Sequence, residues 1–234
     1  MQTAIRARDV ALQGFICRRG RWLRTVAALP GKAPLVILDD ANIDDAVNAA
    51  AFGSFADSGQ TCMFTERIIV DQKVADAFVK KFAAKASALP VGDPRKSEPV
   101  VLGSVIGMGA VEHCNALIDD ALAKGAKLVC GGRAQNTLVP ATVLDHVTPA
   151  MRIYHEEAFG PVKGVVRVSG VEEAVACAND NEYGLSAAVF GGDIARAFGV
   201  AQRIDSGICH VNGPTVHGRP CETLRTRMNA GVSG

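Results

Sequence analysis

Apolar and polar residues along the middle of the chain fall into blocks that fit strands and helices in turn. Residues 33–38 form a short apolar run bounded by charged residues, which predicts a buried strand. Residues 44–55 then carry apolar side chains at helical spacing, and the acidic pair Asp44 and Asp45 suits the positive end of a helix dipole. The pattern therefore predicts a strand followed by a helix.

The alternation of strand and helix continues to about residue 212. Further strands are predicted over 67–70, 127–129, 162–168, 186–190 and 207–212, and further helices over 74–89, 113–124, 171–179 and 194–204. Such alternation is typical of an α/β fold with a mostly parallel sheet covered by helices. No proline-rich linker or repeat interrupts residues 30–213, so we predict one domain there.

The composition of the chain bears on its binding partners and on its cellular location. The 234 residues have a formal net charge of +1, which gives no reason to expect nucleic acid or an anionic membrane as a partner. No run approaches the roughly 18 apolar residues of a spanning helix, and the start lacks the apolar core of a secretory signal, so we predict a cytoplasmic protein. Seven cysteines without CxxC pairs predict reduced thiols and no metal site.

The two ends of the chain differ from the rest. Residues 1–24 carry six arginines and a single acid, Asp9, and residues 218–234 show no periodic apolar pattern. A mitochondrial presequence is also rich in arginine, but this stretch has no serine and no clear apolar face, so that interpretation ranks second. We predict irregular segments over 1–29 and 214–234.

One cysteine lies in a setting that suits chemistry. Cys62 ends the segment SGQTC, between the predicted helix that ends near Phe55 and the predicted strand that begins at Arg67. A thiol in such a loop can reach solvent, and its thiolate is a strong nucleophile. We expect five other cysteines to be buried and structural, namely Cys114, Cys130, Cys177, Cys209 and Cys221.

Six segments, taken together, resemble a known family. They are GKAP at 31–34, LDDANIDDAVNAAAFGSF, SGQTCMFTERIIVD, HEEAFGPV, NDNEYGLSAAVF and SGICHVNGPTVH. In order and spacing they resemble the catalytic domain of NAD(P)-dependent aldehyde dehydrogenases, from about Leu29 to His217. The resemblance implies a three-layer α/β catalytic domain with a mostly parallel sheet. The last segment is most similar to members that act on aromatic aldehydes such as salicylaldehyde, benzaldehyde or vanillin.

The resemblance also implies roles for three residues. Cys62 matches the family nucleophile, which forms a thiohemiacetal with a small aldehyde, loses hydride to NAD or NADP and leaves a thioester that is hydrolysed to an acid. Glu157 matches the glutamate that holds the nicotinamide ribose, and Phe159 matches the phenylalanine that packs near the nicotinamide ring. Asn212 and the segment 183–185 match family motifs whose role is loop geometry, and we assign no chemistry to His210 or His217.

The family pattern breaks just before the match. Family members carry a general-base glutamate in the segment LELGGK, whereas this chain reads Ala27-Ala28-Leu29-Pro30-Gly31-Lys32, so that Ala28 stands in place of the glutamate. Without that carboxylate, hydrolysis of the thioester is expected to slow, because a positioned base contributes typically about 10²–10⁴-fold. Pro30 replaces a glycine and restricts the turn.

The boundaries of the match lead to two expectations about function. No glycine-rich, pyrophosphate-binding turn occurs in the thirty or so residues before it, and the sequence after it departs from the family, so we expect a truncation or a reading-frame error. The first expectation is an impaired aldehyde dehydrogenase, as a homo-oligomer or paired with a paralogue. The alternative is a non-catalytic fragment that pairs with intact paralogues. A weak thiol esterase activity of Cys62 is a third possibility, and the sequence does not decide between NAD and NADP or identify the aldehyde.

Overall fold

The computed structural model describes residues 30–96 and 99–216 in full, together with the backbone of residues 15–18 and 21–24. The strands of this part are β1 (Phe15–Arg18), β2 (Arg21–Arg24), β3 (Ala33–Ile37), β4 (Thr65–Asp71), β5 (Lys127–Cys130), β6 (Thr142–Asp145), β7 (Val162–Val168), β8 (Ser186–Phe190) and β9 (Ile208–Val211). Its helices are α1 (Ile43–Phe55), α2 (Gln72–Ser87), α3 (Met108–Ala123), α4 (Arg152–His155), α5 (Gly170–Asn179) and α6 (Ile194–Ala201). A 3₁₀ turn (Ala56–Gly59) follows α1.

Seven of these strands form one sheet, in the order β5-β6-β7-β4-β3-β8-β9. Neighbouring strands are parallel, except that β5 runs antiparallel to β6 at the edge. In the centre, Leu35 of β3 is in register with Ile68 of β4, and Ile69 of β4 with Val166 of β7. The central strands are buried on both faces, which explains the apolar runs at residues 35–38, 68–70 and 187–190.

Helices cover both faces of the sheet. On one face, α1 and α2 bury a core that includes Phe55, Phe78 and Phe82, whose rings stack with centroids 5.4–5.6 Å apart. On the other face, α3, α5 and α6 bury a separate core that includes Leu117 and Val200. The predicted three-layer α/β architecture with a mostly parallel sheet is thereby confirmed.

Side-chain caps define where several helices begin. The Asn42 carboxamide accepts hydrogen bonds from the backbone N–H groups of Asp44 and Asp45 at the start of α1. The Asp71 side chain caps α2 in the same way, and the Asp193 side chain caps α6. Because such caps satisfy backbone donors that have no partner within the helix, they fix the entry of each helix close to the predicted position.

The elements predicted between residues 33 and 212 occur in the structure, with bounds that differ by a few residues. The pattern missed β6 and α4, since each has only four residues and periodicity cannot show in so short a segment. Within the stretch 1–29, which was predicted to be irregular, β1 and β2 pair as an antiparallel hairpin.

Within the described residues, none of the helices has the length and apolar character needed to cross a membrane.

Candidate active site

The residues singled out from the sequence lie before the amino ends of neighbouring parallel strands. Cys62 precedes β4, and Glu157 and Phe159 precede β7, which pairs with β4. Lys32 directly precedes β3, on the other side of β4. Because the amino ends of parallel strands meet at one edge of a sheet, these segments converge there. Open α/β sheets usually bind their ligands at the carboxyl ends of the strands. The candidate site of this chain lies at the opposite end of the sheet, beside the amino ends of the strands.

Cys62 sits on a loop with an unusual backbone. Three consecutive residues before it, Asp57, Ser58 and Gly59, have φ values of 49°, 54° and 74°, in the left-handed region. Such a run is strained for residues that carry a Cβ and persists only where surrounding contacts hold it. A Cβ on Gly59 would lie 2.4 Å from the carbonyl oxygen of Gly160, so only glycine fits against that segment.

Polar side chains brace this loop against the segment before α3. Ser58 Oγ donates to the carbonyl oxygen of Gly103 at 3.2 Å. The carboxamide of Gln60 accepts from the backbone N–H of Ile106 at 2.8 Å and donates to the carbonyl oxygen of Asp57 at 3.3 Å. The serine and glutamine of the SGQTC segment thus hold the loop in place, which the sequence pattern alone did not indicate.

Gly31 joins the cysteine loop to Glu157. Its backbone N–H donates to Glu157 Oε1 at 2.8 Å. A Cβ on Gly31 would lie 1.8 Å from the carbonyl oxygen of Cys62, so the backbones of these two residues are in direct contact. The structure therefore brings together the carboxylate of Glu157 and the backbone of Cys62, two residues that lie 95 positions apart (157 − 62) in the sequence.

Glu157 is half-buried and held at its backbone as well. Burial raises the pKa of its carboxyl, while the hydrogen bond from Gly31 acts in the opposite direction. Its carbonyl oxygen accepts from His113 Nε2 of α3 at 2.9 Å. Among the described residues, only Gly31 donates a hydrogen bond to the carboxylate, so this group can accept further hydrogen bonds from a ligand.

Phe159 combines exposure with backbone strain. Its φ is 44°, in the left-handed region, which is a genuine outlier for a bulky residue. Its side chain is 38% exposed, although its neighbours Ala158 and Gly160 are buried. Strain of this kind clusters at ligand-binding segments, because surrounding contacts must hold the residue in place.

A buried charged cluster that the sequence analysis missed lies beneath these segments. Glu66 in β4 forms ion pairs with Lys32 and with Lys163 of β7, and all three side chains are at most 2% exposed. Burial opposes ionisation of Glu66, but the charges and hydrogen bonds of the two lysines lower its pKa overall. The signal available in the sequence was a pair of charged residues, Glu66-Arg67, at the start of a buried apolar strand.

The other cysteines of the described part are less suited to nucleophilic chemistry. Cys114, Cys177 and Cys209 are buried, as expected, whereas Cys130 is only partly buried. Burial raises the pKa of the Cys114 thiol to about 11 and that of Cys209 to about 12, which keeps both protonated. Cys62 is partly exposed. Cys221 lies outside the described residues.

The remaining residues named from the sequence have structural contacts or lie outside the described part. The Asn212 carboxamide both donates to and accepts from the backbone of Gly191, which ties the end of β9 to the loop after β8. Ala28 and His217 lie outside the described residues, and so do all of residues 218–234. Residues 30–96 and 99–216 contain no group of three or more His, Cys, Asp and Glu side chains that could hold a metal ion.

Comparisons with known proteins agree with this architecture. Residues 16–222 match the aldehyde dehydrogenase family. Vanillin dehydrogenase of Pseudomonas fluorescens is 56% identical over 189 residues, which cover 81% of this chain and 39% of that protein. Salicylaldehyde dehydrogenase of Pseudomonas sp. strain C18 is 53% identical over 193 residues, covering 82% of this chain and 40% of that protein.

Solved structures give the same result. The crystal structure of a salicylaldehyde dehydrogenase from Pseudomonas putida G7, complexed with salicylaldehyde, superposes with a TM-score of 0.79 at 51% identity, covering 81% of this chain and 39% of that one. An NADP-dependent glyceraldehyde-3-phosphate dehydrogenase from Bacillus halodurans C-125, complexed with NADP, gives a TM-score of 0.78 at 37% identity, with 81% and 40% covered. The chain thus spans about 40% of the length of the relatives that it matches. It belongs to the aldehyde dehydrogenase family.

Proposed function

We propose that this chain carries the nucleophile of an NAD(P)-dependent aldehyde dehydrogenase, which oxidises an aldehyde to a carboxylic acid. The observation that carries the proposal is the contact at Gly31, which joins the backbone of Cys62 to the carboxylate of Glu157. Such a site requires a nucleophile that attacks the aldehyde and a carboxylate that accepts hydrogen bonds from the ribose of the cofactor.

The reaction assigned to Cys62 balances as follows. The Cys62 thiol gives up its proton and its sulfur adds to the aldehyde carbon, so that a C–S bond forms, the C=O π bond breaks and the proton ends on the oxygen as the hydroxyl of a thiohemiacetal. The hydride on that carbon would pass to NAD(P), the hydroxyl proton would pass to water, and a thioester would remain on Cys62. Water then cleaves the C–S bond, releases the acid and returns the thiol. Splitting one difficult step into two easier ones is the benefit of a covalent intermediate.

The described residues fit the nicotinamide end of the cofactor. When bound, NAD(P) supplies the two-electron acceptor for the hydride. The Glu157 carboxylate has capacity to accept hydrogen bonds from ribose hydroxyls, and the partly exposed Phe159 offers an apolar face for a ring. Support for an NAD(P) cofactor comes from the relative that was crystallised with NADP and superposes on this chain with a TM-score of 0.78.

Aromatic aldehydes are the proposed substrate class. The support is that relatives at 51–56% identity are named vanillin and salicylaldehyde dehydrogenases, and one of them was crystallised with salicylaldehyde. A small aromatic aldehyde is therefore the first substrate to test. The cytoplasmic location and the homo-oligomer or paralogue pairing stay predictions.

The absence of a carboxylate at position 28 favours a second candidate function. Because Ala28 stands where the family has its general base, the hydrolytic half of the reaction is expected to be slow in this chain. In the extreme case the protein is a non-catalytic partner of intact paralogues. The two candidates differ in whether Cys62 reacts with an aldehyde at all.

Formation of NADH or NADPH from salicylaldehyde and from vanillin separates these candidates. We expect a Cys62-dependent burst of reduced cofactor followed by slow turnover, because hydrolysis lacks its base. The control variants are Cys62→Ser, which removes the nucleophile, and Cys130→Ser, which removes a partly buried thiol that has no role in the proposal. Absence of any difference between the wild type and Cys62→Ser, in folded protein, would favour the non-catalytic partner.

A further inference from the structure

The buried charged cluster of Glu66, Lys32 and Lys163 takes no part in the steps proposed above. These side chains are at most 2% exposed. Withdrawing charges from water costs several kcal/mol per ion even after relaxation, so apolar side chains of similar volume often stabilise a core at least as well. Stability alone therefore gives a weak reason for placing three charges here, and the contacts of the cluster suggest another.

Glu66 binds three donors, one of which belongs to the segment of Glu157. Its Oε1 accepts from Lys163 Nζ at 2.6 Å. Its Oε2 accepts from Lys32 Nζ at 3.2 Å and from the backbone N–H of Ala158 at 2.8 Å. Lys32 Nζ also donates to the carbonyl oxygen of Glu156 at 2.6 Å. The backbone on both sides of Glu157 is thus attached to the cluster.

The side chain of Glu157 is oriented from the same place. Gly31, which donates to its carboxylate, is adjacent in sequence to Lys32, whose ammonium group contacts Glu66. Glu66 therefore fixes the backbone of the Glu157 segment relative to the backbone at Gly31, whose N–H donates to the Glu157 carboxylate. Both lysines form their ion pairs with Glu66, and within the described part of the chain neither forms one with Glu157. His113 on α3 gives the Glu157 carbonyl oxygen an additional anchor from outside the cluster.

We propose that Glu66 is a positioning residue, which holds the Glu157 segment against Gly31 so that the Glu157 carboxylate faces a ligand with one edge free. The identity of that ligand as a ribose rests on the proposed function, but the positioning itself does not. Glu66 touches neither aldehyde nor cofactor in this proposal, and it acts only through Glu157.

Two double variants separate the effect of the hydrogen-bond acceptor at position 66 from the effect of the negative charge there. Both contain Lys163→Met, which removes the lysine on Oε1. The first adds Glu66→Gln, whose carboxamide oxygen can still accept from Ala158 and Lys32. The second adds Glu66→Leu, of similar size but without an acceptor. The two proteins lose the same ion pairs and both leave Lys32 without a carboxylate, a cost that they share, so they differ in the hydrogen-bond acceptor at position 66.

The measurement is amide hydrogen exchange of the full chain, read at Gly31 by NMR. The Gly31 amide donates to Glu157 and not to Glu66, so its protection reports the position of the Glu157 carboxylate. We expect the Leu variant to lose about tenfold in protection at Gly31 relative to the Gln variant, the equivalent of one lost hydrogen bond. Amides of Ile69 and Val166 in the central strands report global unfolding and correct for any difference in overall stability.

Equal protection of Gly31 in the two variants, after that correction, would overturn the proposal. If the Leu variant does not fold, Glu66→Asp replaces it, since aspartate keeps the charge but is shorter by one methylene and withdraws from Ala158. Unchanged Gly31 protection in Glu66→Asp would then contradict the proposal, and a loss would support it. The exchange needs neither aldehyde nor cofactor, so a protein that fails as a dehydrogenase can still confirm the positioning role.

Discussion

Replacing Ala28 with glutamate is expected to raise the rate at which an acylated Cys62 is hydrolysed by roughly 10²–10⁴-fold, the usual contribution of a positioned general base. In the proposed reaction Ala28 stands in place of the family's general base, so no carboxylate at that position activates the water that attacks the thioester. Acylation needs only the thiolate, whereas deacylation needs an activated water. The two half-reactions should therefore respond differently to the substitution.

Release of 4-nitrophenol from 4-nitrophenyl acetate separates the two half-reactions without any nucleotide. The wild type should show a burst of about one equivalent per chain, followed by slow release, as accumulation of an acyl-enzyme requires. Ala28→Glu should raise the slow phase and leave the burst size unchanged. Ala28→Gln, which matches glutamate in size and has no base, serves as the control. Equal slow phases in Ala28→Glu and Ala28→Gln would show that position 28 does not limit hydrolysis.

Replacing Gly31 with alanine is expected to disrupt the site more than any other small substitution. The added Cβ would lie 1.8 Å from the carbonyl oxygen of Cys62, far inside any real contact distance, and the atom it meets belongs to the backbone. Either the cysteine loop or Gly31 must move, and movement of Gly31 breaks its hydrogen bond to Glu157. We expect a loss of about 1–3 kcal/mol in the free energy of unfolding, as for other overpacked positions.

Denaturant unfolding and the acylation rate of Cys62 together test this expectation. Gly103→Ala is the matched control, because a Cβ at Gly103 has no heavy atom within 4 Å although its carbonyl oxygen contacts the same loop through Ser58. Gly31→Ala should lower both stability and the acylation rate, whereas Gly103→Ala should leave both near the wild-type values. A Gly31→Ala protein that acylates at the wild-type rate would show that the close approach is not needed for the reactivity of Cys62.

The sequence was sufficient to predict the fold because periodicity reports burial directly. The central strands contain short apolar runs, such as residues 35–38 and 68–70, and the helices around them repeat their apolar residues at helical spacing. The antiparallel edge formed by β5 and β6 was not predicted, since β6 has four residues and its partner β5 is largely exposed. Short edge elements depend on pairing with neighbours, which a local pattern does not contain.

Only those residues of the candidate site that lie in a recognisable sequence motif could be predicted from the sequence. Cys62, Glu157 and Phe159 were predicted from segments that resemble a family, and they stay proposals for this chain. The contacts of Gly31 and Glu66 could not be predicted, since they join residues that are between 34 and 126 positions apart in the chain. Contacts over such separations depend on the order of strands in the sheet, which becomes known only with the structure.

The claim that Cys62 is the nucleophile is tested most directly by mapping a trapped acyl group. Wild-type protein is mixed with 4-nitrophenyl acetate, quenched in acid during the burst and digested, and each cysteine peptide is weighed by mass spectrometry. The account predicts one acetyl group on the Cys62 peptide and none on the peptides of the buried Cys114, Cys177 and Cys209. In Cys62→Ser the burst should vanish. Acetyl on another cysteine, or an equal burst in Cys62→Ser, would contradict the account.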